Sequence, residues 1–106
     1  RVLSGVLKLN QRVESLDLYN NNIGPDGVRE IGEALKVNFT LKVLIVADNN
    51  MGTEGGQALV EALQVNGSII ECYVDENNHL VRECCRRNRE NHERAMECVV
   101  HLLAIR

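Results

Sequence analysis

Three stretches of the sequence decide the fold: VESLDLYNNNI at 13–23, LKVLIVADNNM at 41–51 and IIECYVDENNH at 69–79. They follow one another at a constant offset of 28 residues without a gap, and they share one frame of apolar and asparagine positions. The first two stretches continue in step, so that units 13–40 and 41–68 are identical at 10 of 28 positions. A fixed period of this length indicates a solenoid, in which each unit packs only on its neighbours.

Each unit has the pattern of a short strand followed by a turn and a helix. Apolar and polar residues alternate before Asn21, as in a half-buried strand, and an asparagine amide can satisfy backbone groups at a sharp bend. Gly24-Pro25-Asp26 then opens a helix, with proline in the first turn, where its missing N–H costs little. In the second unit we expect Thr53 to be the helix N-cap and Asn66-Gly67 to end the helix.

This frame resembles the leucine-rich repeat. The 28-residue length, the Gly-x-x-Gly before the helix and the Ala-Leu-x-x-Asn-x-Thr/Ser ending resemble the ribonuclease-inhibitor subclass in particular. The resemblance covers residues 2–79 and implies an α/β solenoid with short parallel strands on a concave side and helices on a convex side. Ribonuclease inhibitor, the sensor region of nucleotide-binding immune receptors, Ran GTPase-activating protein and tropomodulin are all similar at this level, and the sequence does not choose between them.

The repeat frame divides the chain, which we expect to form a single domain over residues 1–106. The expected parts are the end of a preceding repeat (1–12), two repeats (13–40 and 41–68), a divergent repeat (69–90) and a C-terminal capping helix (91–106). The frame glycines become Leu80 and Glu83 in the third unit, and terminal repeats of solenoids are atypical because they cap the array. We expect the capping helix to begin near Asn91 and to present an inner face of Ala95, Cys98, Val99, Leu102 and Leu103.

The composition excludes several classes of function. The chain has 106 residues, of which 44% are hydrophobic and 25% charged, as expected for one globular domain. The net charge of -3 argues against binding to nucleic acid, and no apolar run approaches the roughly 18 residues of a membrane span. The four cysteines are not spaced like a secreted disulfide framework, which favours a cytoplasmic location.

The main candidates for a binding site are the strand residues that the frame turns toward the concave side. Neighbouring strands lie about 5 Å apart, so these residues form one patch with an apolar middle row, a tyrosine in each flanking row and carboxylates around it. Such a patch is typical of a protein-recognition surface, here for a partner of basic character. The alternative is that Val, Ile and Tyr are simply good strand formers. The candidate partner-binding residues are Ser15, Asp17, Tyr19, Val43, Ile45, Ala47, Glu71, Tyr73 and Asp75.

No motif predicts an enzyme, a cofactor or a metal site. The serines lack the glycines of a nucleophile elbow, and the cysteines and histidines between 72 and 101 lack the usual zinc spacing. The arginine-rich stretch at 82–89 is typical of a solvated helix face with i,i+4 ion pairs, and a phosphate or acidic-partner site is the alternative. The glycosylation sequons at Asn38 and Asn66 fall at one repeat position, so the repeat explains both.

The N-terminal end suggests a second hypothesis. Residues 2–10 fit the tail of a preceding unit, so we expect the chain to start inside a helix and to come from, or pair with, a longer array. An uncapped end exposes core positions, which predicts docking into a larger complex or self-association through this end. A GTPase-activating or actin-capping role is a third hypothesis and rests on family analogy alone. The residues expected to be exposed at the open end are Leu3, Val6, Leu7, Leu16 and Leu18.

Overall fold

Helices and strands alternate along the chain. The computed structural model describes residues 2–10, 12–76 and 78–104, with side chains from residue 5 onward. The elements in order are α1 (Val2–Leu9), β1 (Ser15–Asp17), α2 (Gly24–Leu35), β2 (Val43–Ile45), α3 (Gly52–Val65), β3 (Glu71–Tyr73) and α4 (His79–Ala104). The strands form one parallel sheet in the order β1-β2-β3, and Leu16, Leu44 and Cys72 lie side by side. The sheet register therefore reproduces the 28-residue offset, and the predicted solenoid of parallel strands and helices is confirmed.

The core lies between the sheet and the helices. Leu44 and Val46 point inward from the second unit and are fully buried. The helices close the core from the other side, because their apolar residues recur every three or four positions and share one face. The buried helical residues that form this layer are Val28, Ile31, Ala34, Leu35, Leu59, Ala62 and Leu63.

The turn after each strand repeats one unusual backbone path. The φ angles are positive at Asn20, Asn22 and Gly24, and again 28 residues later at Asp48, Asn50 and Gly52. Asparagine, aspartate and glycine are the residues that adopt this left-handed conformation most readily. The turn delivers the chain to the helix with Met51 already in helical conformation, and no side chain caps the helix. The prediction of Thr53 as N-cap was therefore wrong, since Thr53 lies inside the first turn of α3.

Buried asparagines connect each repeat to the one before it. The side-chain amide of Asn38 donates to the carbonyl of Asn10 (2.9 Å), that of Asn66 to Asn38 (2.6 Å) and that of Asn88 to Asn66 (2.7 Å). The side-chain oxygens of Asn38 and Asn66 accept backbone N–H groups two and three residues further on. Asn38 and Asn66 are 0% and 1% exposed, so a glycan on either sequon is incompatible with the fold.

Helix α4 differs from the capping helix that the sequence predicts. It begins at His79 and runs without a break for 26 residues to Ala104. Its first half packs on the array through Val81, Cys85 and Asn88, whereas every residue from 91 to 104 is exposed. The helix start near Asn91 and the inner face of Ala95, Cys98, Val99, Leu102 and Leu103 were therefore wrong. The helix has already crossed the end of the array at Asn88, so no further repeat lies beneath these residues.

The arginines of α4 cover the last strand. Arg86 forms the predicted ion pairs with Glu83 and Glu90. Arg82, Arg87 and Arg89 instead donate to the backbone carbonyls of Asp75, Glu76, Leu63 and Ile70. These carbonyls belong to the last repeat, where no further strand follows to bind them. The arginine-rich stretch thus closes the C-terminal side of the solenoid.

The N-terminal side is less open than the sequence suggests. Leu7 is only 2% exposed because α1 packs on α2 and places this residue in the core. Leu16 and Leu18 are half-buried against the same core, and Val6 is half-exposed. The side chain of Leu3 lies outside the described residues. Counting Leu7 as an exposed residue was therefore wrong.

Candidate functional site on the concave strand face

The sheet register brings the predicted concave residues together. Ser15, Val43 and Glu71 form one row across the three strands, and Asp17, Ile45 and Tyr73 form the next. Because side chains alternate along a strand, the residues between these rows point into the core.

The middle of this patch is apolar and partly shielded, and its edges are exposed. Val43, Ile45 and Ala47 are half-buried because strands flank them on both sides. Tyr19 and Tyr73 stand at the two sides and are 57% and 53% exposed. A partner that covers this patch would bury both aromatic rings together with the aliphatic row between them, which is the composition of an interface centre.

A hydrogen bond links two residues of the third strand. The phenol of Tyr73 donates to the carboxylate of Glu71 at 3.0 Å. This bond, helped by the negative charge of Glu71, raises the pKa of Tyr73 above its usual value, while the charge of Arg89 acts in the opposite direction. The pair is exposed, so it fixes the direction of the ring without being hidden from a partner.

Two of the acidic residues also serve the turns. The carboxylate of Asp17 accepts the N–H of Tyr19 at 3.0 Å, and that of Asp75 accepts the N–H of Asp48 at 2.9 Å. Each bond holds a backbone that has just left a strand. The negative rim of the patch is thus partly fixed by the fold, and the remaining oxygen atoms stay available to donors from a partner.

Arg89 belongs beside this site, and the sequence analysis missed it. It reaches from α4 to the carbonyl of Ile70, directly before β3, and its charge acts on Tyr73 and Cys85. The signal was its place one helical turn after Cys85, which is visible only once α4 is known to start at His79. Arg89 gives the third-strand side of the patch a positive charge next to Glu71.

The cysteines and the remaining concave features carry no assigned chemistry. All four cysteines are free thiols, and a contact between Cys72 and Cys85, together with burial, raises the pKa of Cys72. In the part of the chain that the structure describes, no group of three or more metal-ligating side chains comes together. A groove of about 390 Å³ lies away from the patch between α3 and the start of α4, lined by Gly56, Val60 and Leu80 among others. Among the described residues, no helix is long and apolar enough to cross a bilayer.

Comparison with known proteins supports this architecture. The Leucine Rich repeat family profile matches residues 9–32 and 37–60, which are two successive units of the frame. No curated protein sequence matches the chain. The solved structure of Leiomodin-1 Actin-Binding Site 2 (ABS2) superposes with a TM-score of 0.81 at 20% sequence identity, over 95% of this chain and 62% of that one. The chain is a leucine-rich-repeat solenoid with a helical C-terminal end.

Proposed function

We propose that the chain is a protein-interaction module that binds its partner through the concave face of its strands. The observation that carries the proposal is the contiguous patch in which Ile45 lies between Asp17 and Tyr73. Solenoids of this kind use extended concave surfaces for binding, and aromatic residues at the centre of a contact supply much of its energy. We also place the chain in the ribonuclease-inhibitor-like subclass and in the cytoplasm, on the 28-residue unit and the free thiols.

The chemistry of the patch favours a partner with basic and apolar side chains. Glu71, Asp17 and Asp75 supply negative charge around the aliphatic row. Exposed charges act over about 10 Å at 0.1 M salt, so they would guide a basic partner and add to the affinity mainly at low ionic strength. Binding that weakens as salt is added supports this choice of partner, and salt-independent binding argues against it.

The test compares three variants as baits. Ile45→Asp places a charge in the middle row, and Tyr73→Ala removes one of the flanking rings. Val37→Asp is the matched control, because Val37 is 50% exposed but lies on the helix side of the repeat. Proteins retained by the parent chain and by Val37→Asp should be lost with the two concave variants, while circular dichroism shows all chains folded. Equal retention by all four baits would reject the concave face.

Binding of actin is a second candidate. It is favoured by the fold similarity to the leiomodin-1 actin-binding site, at an identity that by itself shows only the fold. Co-sedimentation with actin filaments, and binding to monomeric actin, test it directly. Loss of binding in Ile45→Asp would join the two proposals, and no binding to either form of actin would reject this candidate.

Docking through the N-terminal edge is a third candidate. β1 is paired on one side by β2, and Leu18 donates its N–H to Ile45, so the N–H groups of Ser15 and Asp17 point to the open side. An added strand would bind there. Ser15→Pro removes one of these donors without breaking a bond to β2, and it should abolish an association that uses this edge. Association that survives Ser15→Pro would exclude the edge.

A further inference from the structure

Helix α4 extends far beyond the array. The amide of Asn88 donates to the carbonyl of Asn66, which follows the last residue of α3, so α4 passes the level at which α3 ends near Asn88. The helix then continues to Ala104. We call residues 91–104 the overhang: at about 1.5 Å per residue it is roughly 20 Å long, and all of its residues are exposed.

The overhang carries the same stripe that attaches α4 to the array. Positions 81, 85, 88, 92, 95, 99 and 102 recur at alternating steps of four and three, which is the spacing of helices that pack on one another. The first three are buried, and the last three are exposed. Large apolar side chains broaden the stripe along the overhang, and they remain 50–61% exposed: Met96, Val99, Val100, Leu102 and Leu103.

A second apolar surface lies where the helices of the array end. Leu9, Val37 and Val65 occupy one repeat position at intervals of 28 residues, and they are 86%, 50% and 59% exposed. We call these three residues the base row. The stripe on the overhang shares the face of Val81 and Cys85, which pack toward the array, so it faces the space directly beyond the base row. The overhang and the base row are thus the two walls of an open notch.

We propose that this notch is filled by the overhang of a second copy of the chain, in an antiparallel pair with twofold symmetry. An object that fits it must be a helix, because the stripe has helix-packing spacing, and it must be about as long as the overhang itself. In an antiparallel pair each overhang lies along the other, and its tip reaches the base row of the other copy. One contact therefore fills both notches, which is the property of an isologous interface.

The size of the contact predicts a weak dimer. Two overhangs of about 20 Å and the base-row residues near their tips form a contact at the low end of the range for specific interfaces. The interface is separate from the concave patch, so dimerisation would place two concave faces in one particle. This inference does not depend on the proposed function of those faces.

Sedimentation equilibrium over about 10 µM to about 1 mM of the full chain tests the proposal. We expect the parent chain to pass from monomer to dimer within this range. Val99→Glu on the overhang and Val65→Glu on the base row should each raise the dissociation constant by about tenfold or more, since each buries a charge in the contact. Leu80→Glu is the matched control: it makes the same kind of change at a 59% exposed residue of the same helix outside the stripe, and it should leave dimerisation unchanged.

Three results would overturn the proposal. A parent chain that stays monomeric throughout would leave the notch to the helix of a different protein. Association that Val99→Glu does not weaken would place the contact elsewhere, and Ser15→Pro then reports whether β1 is used. Association weakened by Val99→Glu but not by Val65→Glu would show two overhangs that meet without entering the notch.

Discussion

Two asparagines at the same repeat position provide a sharp test of what holds the solenoid together. Asn49 is fully buried, and its side-chain amide donates to the carbonyls of Leu18 (2.7 Å), Val46 (3.0 Å) and Ala47 (3.2 Å). Its side-chain oxygen accepts two further N–H groups, from the turn of the preceding repeat. Asn21 stands 28 residues earlier, is exposed, and donates one bond, to the carbonyl of Tyr19. Replacement of each by alanine therefore makes the same chemical change in two environments.

The expected cost follows from the groups left without partners. In Asn49→Ala the carbonyl of Val46 stays buried, and a buried group without a hydrogen bond costs about 1–3 kcal/mol. The other four partners are part-buried, so water can replace part of each bond, at about 0.5 kcal/mol apiece. The free energy of unfolding should fall by about 3–5 kcal/mol, against about 0.5 kcal/mol for Asn21→Ala.

Urea unfolding followed by circular dichroism measures both variants. A loss of about 3–5 kcal/mol is a large part of the 5–15 kcal/mol that stabilises a typical domain, and it would lower Tm by more than 10 °C. Equal losses for the two variants, or a loss below about 1 kcal/mol for Asn49→Ala, would refute the view that the buried asparagines hold neighbouring repeats together.

Three further predictions concern single residues. Gly52→Ala should lower the free energy of unfolding by about 1–2 kcal/mol because the φ of Gly52 is positive, whereas Gly67→Ala, in open space with no positive φ, should change it little; thermal unfolding compares the two. Glu71→Gln should lower the pKa of Tyr73 toward its ordinary value, since the raised pKa rests on the bond to the carboxylate; the difference in ultraviolet titration between each chain and its Tyr73→Phe counterpart isolates this phenol. In the parent chain this bond favours the folded state below the pKa of a free tyrosine and is lost as pH rises through the raised pKa of Tyr73. Cys98 should react with iodoacetamide in the folded chain while Cys85 stays protected by burial until urea unfolds it, and rapid labelling of both thiols under native conditions would contradict the structure.

The sequence predicted what the 28-residue frame controls. The frame sets the pairing of Leu16, Leu44 and Cys72 because one offset fixes every strand, and it sets the alternation that turns Ile45 to the concave side. The core stripes of α2 and α3 follow from the same frame. These features depend only on neighbouring units, so a repeated local pattern is enough to determine them.

The region after the frame breaks down could not be predicted in the same way. Dividing the chain by the repeat period placed a boundary near Asn91, although residues 79–104 contain no glycine or proline that would end a helix. The heptad spacing across that boundary indicated one continuous helix. The bonds of Arg82 and Arg89 to backbone carbonyls depend on how α4 lies over β3, which no local pattern records.

The asparagine connections also bear on how such a chain can change in length. Asn38 and Asn66 each donate backward to the preceding unit and accept N–H groups from the strand that follows. Every full unit therefore has the same connector on its front and its back. A tandem duplication of residues 41–68 would join both neighbours through these bonds without any compensating substitution, whereas an insertion of any other length would separate donor from acceptor. The evolutionary unit of gain or loss in this protein is thus the whole repeat, and α4 closes whichever repeat comes last.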